Sequence, residues 1–288
     1  MNQGTNAVGG ERYSLRRWKP VALDDLVRVG RQEDGGYVIS RRCIETASTV
    51  VGLGIFDDWS FEEMFGQRQP GSAIVGVDAS VSSAIFRSRS ADHLARAMLS
   101  TVALRFKGAT WRFRQAARWL ERARSLDTFF RQSGRAFHQK FLSDFDDTWS
   151  ITWSTLCRTE SLIPADTSSP SVFVKMDIEG SEYRILGDLV ADADRINGMV
   201  VEFHDCDLHW ERFCESMDFL HEDFAVAHVH GNNYQPLIRG SSTPRVLEIS
   251  FVNRRLIPDN LGGSTASYPL EGLDRPCDPS KPDYAIQF

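Results

Sequence analysis

Val172-Phe173-Val174-Lys175-Met176-Asp177-Ile178-Glu179-Gly180-Ser181-Glu182 is the stretch on which the reading of this chain turns. The first five residues are apolar except Lys175 and predict a buried strand. A helix follows, with Ile185, Leu186, Leu189 and Val190 as its apolar stripe. A packed strand has no use for Lys175, Asp177 and Glu179, and alternation sets the three on one face if the strand runs that far. In an open α/β sheet, ligands bind beyond the carboxyl ends of the strands, which is where this charge falls. The bland alternative is a salt-bridged strand end with Glu179 or Ser181 capping the helix.

Upstream lies a second unit of the same kind. Asp34 to Ile39 reads as a turn and a strand, and Ser48 to Leu53 as a short β-branched strand. The latter breaks at Gly52-Leu53-Gly54, and Ser60 is the expected N-cap of a helix from Phe61 to Phe65. Ala73 to Val77 is a further strand ending in Asp78. Glycines after a first strand let a ligand approach the backbone, and an acid at the end of the next strand suits ribose hydroxyls. The glycine fingerprint is incomplete, since Asp57 stands where a third glycine would be. The pair points to an adenosine-containing cofactor without separating NAD from S-adenosylmethionine.

Downstream the rhythm repeats. Met199 to His204 is a strand carrying Glu202, His204 and then Asp205; Trp210, Phe213, Cys214 and Met217 stripe a helix; Phe224 to His230 is the next strand. The last strand, Val246 to Val252, follows too closely for a helical crossover, so these two are expected to be antiparallel neighbours. Three successive strand ends thus carry Asp177 with Glu179, Glu202 with His204, and His228 with His230, Asn232 and Asn233. Two chemistries fit. His204 or His230 could act as a general base, or Asp177, Glu202, His204 and His230 could hold a divalent metal such as magnesium.

Composition sets the outer bounds. The 288 residues are 42% hydrophobic and 25% charged, enough for a sizeable core, and the net charge of −6 gives no general case for nucleic acid. No apolar run approaches the roughly 18 residues of a membrane span, and the polar N-terminus predicts no signal peptide. The five cysteines are scattered without a CxxC pair, which argues against a disulfide framework or zinc ribbon and predicts a cytoplasmic protein. Residues 1–12 are expected to be disordered, 13–257 to form one domain, and 258–288 to be a strap or tail. Residues 136–142 and 150–156 are expected strands. Inside the domain, 84–135 reads as a helical insertion, with Phe113, Ala116, Ala117 and Leu120 as its packed stripe. From Ile85 to Lys140 there are 13 Lys/Arg against three acids. Such a block is a solvated helix face, or a patch for an anionic substrate or a membrane surface.

Taken in order, DGGYVIS at 34–40, VGLGIFDDWSFEEMF at 51–65, VGVDAS at 75–80, VFVKMDIEGSE at 172–182, VVEFHD at 200–205, HVHGNNY at 228–234 and RVLEISFVN at 245–253 resemble the FkbM methyltransferases. The closing LDRPCDPSKPDYAIQF is similar to the tail of some members. The resemblance implies a Rossmann-like class I methyltransferase fold, a mostly parallel seven-stranded sheet with an antiparallel last strand. It implies S-adenosylmethionine as cofactor and O-methylation of a sugar or of a polyketide- or peptide-derived acceptor. Gly52 and Gly54 would line the methionine portion and Asp78 would bind the ribose. Asp177 and Glu179 would sit near the transferred methyl with Lys175 supporting them, and Glu202, His204 and 230–233 would face the acceptor. The insertion departs from the family pattern where adenine contacts are expected, leaving Asp144, Asp146 and Asp147 as candidates. An NAD(P)-dependent oxidoreductase and a non-catalytic binding protein are the competing readings, and a homo-oligomer stays open.

Overall fold

The computed structural model describes residues 12–102, 106–162 and 169–288. Of the expected disordered segment 1–12, all but Arg12 lies outside these, as do residues 163–168 before the strand at 172. The elements run β1 (Leu26–Gly30), β2 (Gly36–Ser40), α1 (Arg41–Thr46), β3 (Thr49–Leu53), α2 (Ser60–Arg68) and β4 (Ala73–Val77). Next come α3 (Ser83–Val102), α4 (Phe106–Phe130), β5 (Arg135–His138), β6 (Phe141–Leu142), β7 (Ser150–Ile151) and α5 (Trp153–Thr159). The remainder is β8 (Val172–Met176), α6 (Glu182–Val190), β9 (Ile196–Phe203), α7 (Trp210–Asp223), β10 (Phe224–Gly231) and β11 (Leu247–Asn253).

The main sheet has seven strands in the order β10-β11-β9-β8-β3-β4-β5. β3 is parallel to β4 and β8, β4 to β5, and β8 to β9. β11 runs antiparallel between β9 and β10, as the short connection before it requires. This is the strand order of the class I methyltransferase fold, with the reversal of connectivity between β3 and β8.

Alternation along the strands builds a core on each face, as a sheet covered on both sides demands. Val51, Leu53, Val174, Met176, Met199, Val201 and Phe203 pack on one side. Val50, Phe173, Val200 and Val252 pack on the other, against Phe61 and Phe65 of α2. Gly52, Lys175, Glu202 and Glu248 share the parity of that second side, so a polar layer continues the apolar one toward the strand ends. β1 and β2 form a separate antiparallel ribbon that brings Tyr37 onto this layer.

Three local expectations change. α2 starts at Ser60, not after it, because Asp58 accepts the hydrogen bond from the Ser60 amide at 3.1 Å. Residues 153–156 are helical rather than extended, because the Thr152 hydroxyl accepts from the Thr155 amide and starts α5. In α4 the packed stripe is Ala109, Ala116, Ala123 and Leu126, while Phe113 and Leu120 are exposed. The small residues let α3, with Ala97 fully buried, approach closely. The segment 258–288 lies along β10 and β11 as an ordered strap. Asp274 takes a hydrogen bond at 3.0 Å from His228, and Asn233 donates to the Asp278 and Pro282 carbonyls at 3.0 and 3.2 Å.

Candidate active site

Every candidate residue sits where a strand ends, and the backbone there is unusual. Gly54 follows β3 with φ +74, and a Cβ on it would lie 1.7 Å from the Asp177 carbonyl oxygen. Only glycine allows this turn to pack on the end of β8. Phe56, Glu179 and Asp205, which follow β3, β8 and β9, all hold positive φ, 41°, 55° and 46°. Non-glycine residues in this region carry local backbone strain, and these three gather at one edge of the sheet.

Between these turns opens a cleft lined by Gly54, Phe56, Asp78, Phe141, Leu142, Asp177 and Glu179. Asp78 accepts hydrogen bonds from the Phe56 amide at 2.8 Å and the Ser80 amide at 2.7 Å. The Ser80 hydroxyl also donates to Asp78 at 2.7 Å, and the three bonds fix the carboxylate while leaving Oδ2 room for one further donor. The aspartates suggested for the adenine end are engaged elsewhere. Asp146 accepts from the Thr152 amide and Asp147 from the Trp149 and Ser150 amides, and Asp144 accepts from the Ser143 hydroxyl. Phe141 and Leu142 provide the apolar wall instead, a signal hidden in a two-residue strand.

A second, polar chamber shares Gly54, Phe56, Asp177 and Glu179 and adds Arg31, Asp34, Glu62 and Lys175. Lys175 donates to the Gly54 carbonyl at 2.5 Å and lies 3.4 Å from Asp177. Burial works against its charge, but Asp177, Glu62 and Glu202 outweigh burial and hold it protonated. Glu62 is 1% exposed, and neither carboxylate oxygen has a hydrogen-bond partner. Burial pushes its pKa up to about 7, against the pull of Lys175. Gly52 does not line the cleft; it makes room for Glu62, whose Oε1 would lie 2.1 Å from a Cβ at that position. Asp34 is raised to about 6 by burial and by the charges of Glu248 and Asp177.

His204 packs behind Asp177 and Glu179, two residues shared by both cavities. Its Nδ1 is 3.0 Å from Glu182 Oε1, and its Nε2 is 3.6 Å from Glu179 and 3.8 Å from both Asp177 and Glu202. Burial disfavours the charged ring, yet the Glu182 hydrogen bond and the charges of Glu202, Glu182 and Asp177 raise its pKa to about 9. The same Glu182 oxygen accepts from the Ile178 and Gly180 amides, both at 3.1 Å, so it orders the β8–α6 turn and orients the ring together. Neither Glu179 nor Ser181 caps α6 with its side chain; Glu182 instead bonds the amides of the turn before the helix. Glu179 itself turns outward, with 87% of its side chain exposed. Glu202 is buried, hydrogen-bonded by Tyr37 at 3.2 Å and Asn232 at 2.9 Å. Tyr37 and Glu182 have no site role legible in the sequence; only the packing around them shows their part.

His230 is placed differently from His204. It is 2% exposed, with Nδ1 2.8 Å from Glu248 and Nε2 3.0 Å from Asp283 of the strap. Both nitrogens are engaged, so the structure gives it no free atom with which to receive an acceptor's proton. Asn233 likewise binds the strap. The residues considered for a metal are split accordingly. Asp177, Glu179 and His204 offer ligand atoms within 4.8 Å of one another, whereas His230 groups with Glu248 and Cys277.

No protein-family model matches the chain, and no curated protein matches it. Among solved structures it is similar to the precorrin-6y C5,15-methyltransferase of Geobacter metallireducens GS-15, at 10% identity and a TM-score of 0.33. That match covers 74% of this chain and 87% of the other, and so loose a likeness adds nothing to what the strand order shows.

Proposed function

We propose that this chain is an S-adenosylmethionine-dependent methyltransferase that methylates a hydroxyl of a small-molecule or glycan acceptor. The observation that carries the reading is the cleft at the carboxyl ends of β3, β4 and β8. It joins a hydroxyl-binding acid (Asp78), an apolar wall (Phe141 and Leu142) and an acidic chamber (Asp177, Glu179 and the unpartnered Glu62). The motifs resembling FkbM methyltransferases fall on these same strand ends.

When bound, S-adenosylmethionine supplies a methyl group already activated on a sulfonium, so the protein's work is positioning and deprotonation. Asp78 would hold the ribose hydroxyls, and Phe141 with Leu142 would flank the base. Glu62, its oxygens buried under the chamber, would add negative potential near the ammonium end of the bound cofactor. Asp177 and Glu179 supply negative charge beside a cation. His204 Nε2 takes the acceptor's proton, with Glu182 holding Nδ1 and fixing the tautomer. Lys175 fixes Asp177 and the Gly54 turn.

An oxidoreductase reading fits less well, because the glycine fingerprint is incomplete and β11 is antiparallel. Thermal unfolding with S-adenosylhomocysteine and with NAD(P) separates the two. At about a hundred times its Kd, the true ligand raises the midpoint by about 5 °C or more. A rise with NAD(P) alone would replace the proposal.

A further inference from the structure

The insertion contributes little to the cleft, yet it is the most unusual surface of the molecule. α3 and α4 form an antiparallel hairpin whose base grips the α2 side of the site. Arg118 pairs with Asp57 at 3.2 Å, and Arg89 lies over the rings of Phe56 and Trp119. Outward of these ties the contacts join one helix to the other, Ser90 to the Ala116 carbonyl and His93 to Trp111. From Arg118 back to Lys107 the helix projects about 16 Å at 1.5 Å per residue.

This outer half is apolar and basic at once. Leu94, Met98, Leu99, Trp111 and Phe113 are 39%, 55%, 70%, 54% and 42% exposed. Interleaved with them are Arg96, Lys107, Arg112 and Arg114, against the single acid Asp92, which pairs with Arg96 at 2.9 Å. The chain as a whole is acidic, at −6, so the positive charge is concentrated here. Large apolar side chains exposed beside Lys and Arg on helices match the boundary between lipid headgroups and acyl chains, where Trp is also favoured.

We infer that the outer half of the α3–α4 hairpin docks on an anionic lipid bilayer. A second copy of the chain is a poorer occupant, because a symmetric contact would set Arg112 and Arg114 against the same cations of its mate. A nucleic acid would meet the arginines but leave Leu94, Met98 and Leu99 in water. A docked hairpin also tethers the cleft to the membrane, since its base grips the Phe56 loop that lines it. The inference stands apart from the methyltransferase reading and does not depend on it.

The test is co-sedimentation of the full chain with vesicles of phosphatidylglycerol and phosphatidylcholine in equal parts, and with phosphatidylcholine alone. The chain should sediment with the mixed vesicles, less so as salt rises, and much less with the neutral ones. Each cation near such a surface is worth about a fivefold gain in partition. Arg112→Glu with Arg114→Glu, and separately Met98→Ser with Leu99→Ser, should each lower partition at least fivefold. Both should leave the unfolding midpoint unchanged, and Leu208→Ser, on an exposed residue elsewhere, should leave partition unchanged. No sedimentation, or equal sedimentation of wild type and variants, overturns the inference. So does a dimer in light scattering that these substitutions dissociate, or saturable RNA binding without vesicle binding.

Discussion

His204 Nδ1 lies 3.0 Å from Oε1 of Glu182, a carboxylate with no exposed surface at the first turn of α6. That contact ties the end of β9 to the turn after β8 and decides how His204 titrates. Its pKa of about 9 leaves the ring protonated at neutral pH in the cofactor-free protein. A base must be neutral to act, so methyl transfer should climb with pH, and the acid limb of kcat/KM should inflect above the ordinary histidine value. Glu182→Gln removes one of the raising charges and should move that inflection toward lower pH. His204→Ala should cut kcat by about a hundredfold or more while changing cofactor Kd little. An unchanged kcat removes His204 from the role.

The same raised pKa has a consequence for stability. A histidine that binds its proton more tightly when folded stabilises the fold fully below its unfolded pKa, near 6.5. That contribution is lost as pH rises through about 9. The denaturant midpoint of the cofactor-free chain should fall across this window, and His204→Ala should flatten the fall.

Glu62 behaves in the opposite chemical sense. Its pKa is raised to about 7 by burial, so the ionised form burdens the fold, and stability should decline as pH rises from about 4.5 to 7. Glu62→Gln removes this burden and should stabilise the cofactor-free protein above pH 7 by about 1–3 kcal/mol. The same change should weaken binding of the cationic cofactor, since it removes a buried negative charge beside the chamber. Stability and affinity moving together would refute this role for Glu62.

Two glycines separate packing from conformation. Gly54→Ala forces a Cβ to 1.7 Å from the Asp177 carbonyl and should abolish cofactor binding, with a stability loss of several kcal/mol. Gly180 also has positive φ, +97, but open space where its Cβ would go. Gly180→Ala should therefore cost only about 1 kcal/mol. Circular dichroism melts compare them directly.

Chelation addresses the second chemistry. With His204 as the base, turnover should survive EDTA and gain nothing from magnesium. Loss with EDTA and recovery with magnesium would assign Asp177, Glu179 and His204 to an ion instead.

Much of the fold is legible in the sequence because parallel strands buried on both faces read as plain apolar runs, as at 49–53, 73–77 and 172–176. The reversal at β11 follows from a connection too short for a helix. What misleads is local competition. Thr152 caps a helix where β-branched neighbours suggest a strand, and in α4 alanines pack while Phe113 and Leu120 stay outside. Asp78, Asp177 and Glu179 are legible as charge at strand ends, where it has no packing purpose, and they lie in the wall of the cleft. Burial is what a sequence conceals. His204 and His230 look alike as letters, but one stands behind Asp177 and Glu179, which line the cleft, and the other is clamped between Glu248 and Asp283. Glu62 and Glu182 read as ordinary helix acids, and only the packing around them turns them into an orphan and a hinge of the site.

The most direct test is isothermal titration of the purified chain with S-adenosylmethionine and S-adenosylhomocysteine. Micromolar binding is expected, weakened about 10–100-fold by Asp78→Ala through loss of a charge-assisted hydrogen bond and retained in His204→Ala. Absence of binding with both compounds, or binding indifferent to Asp78, would contradict the assignment of this cleft to a methyl donor.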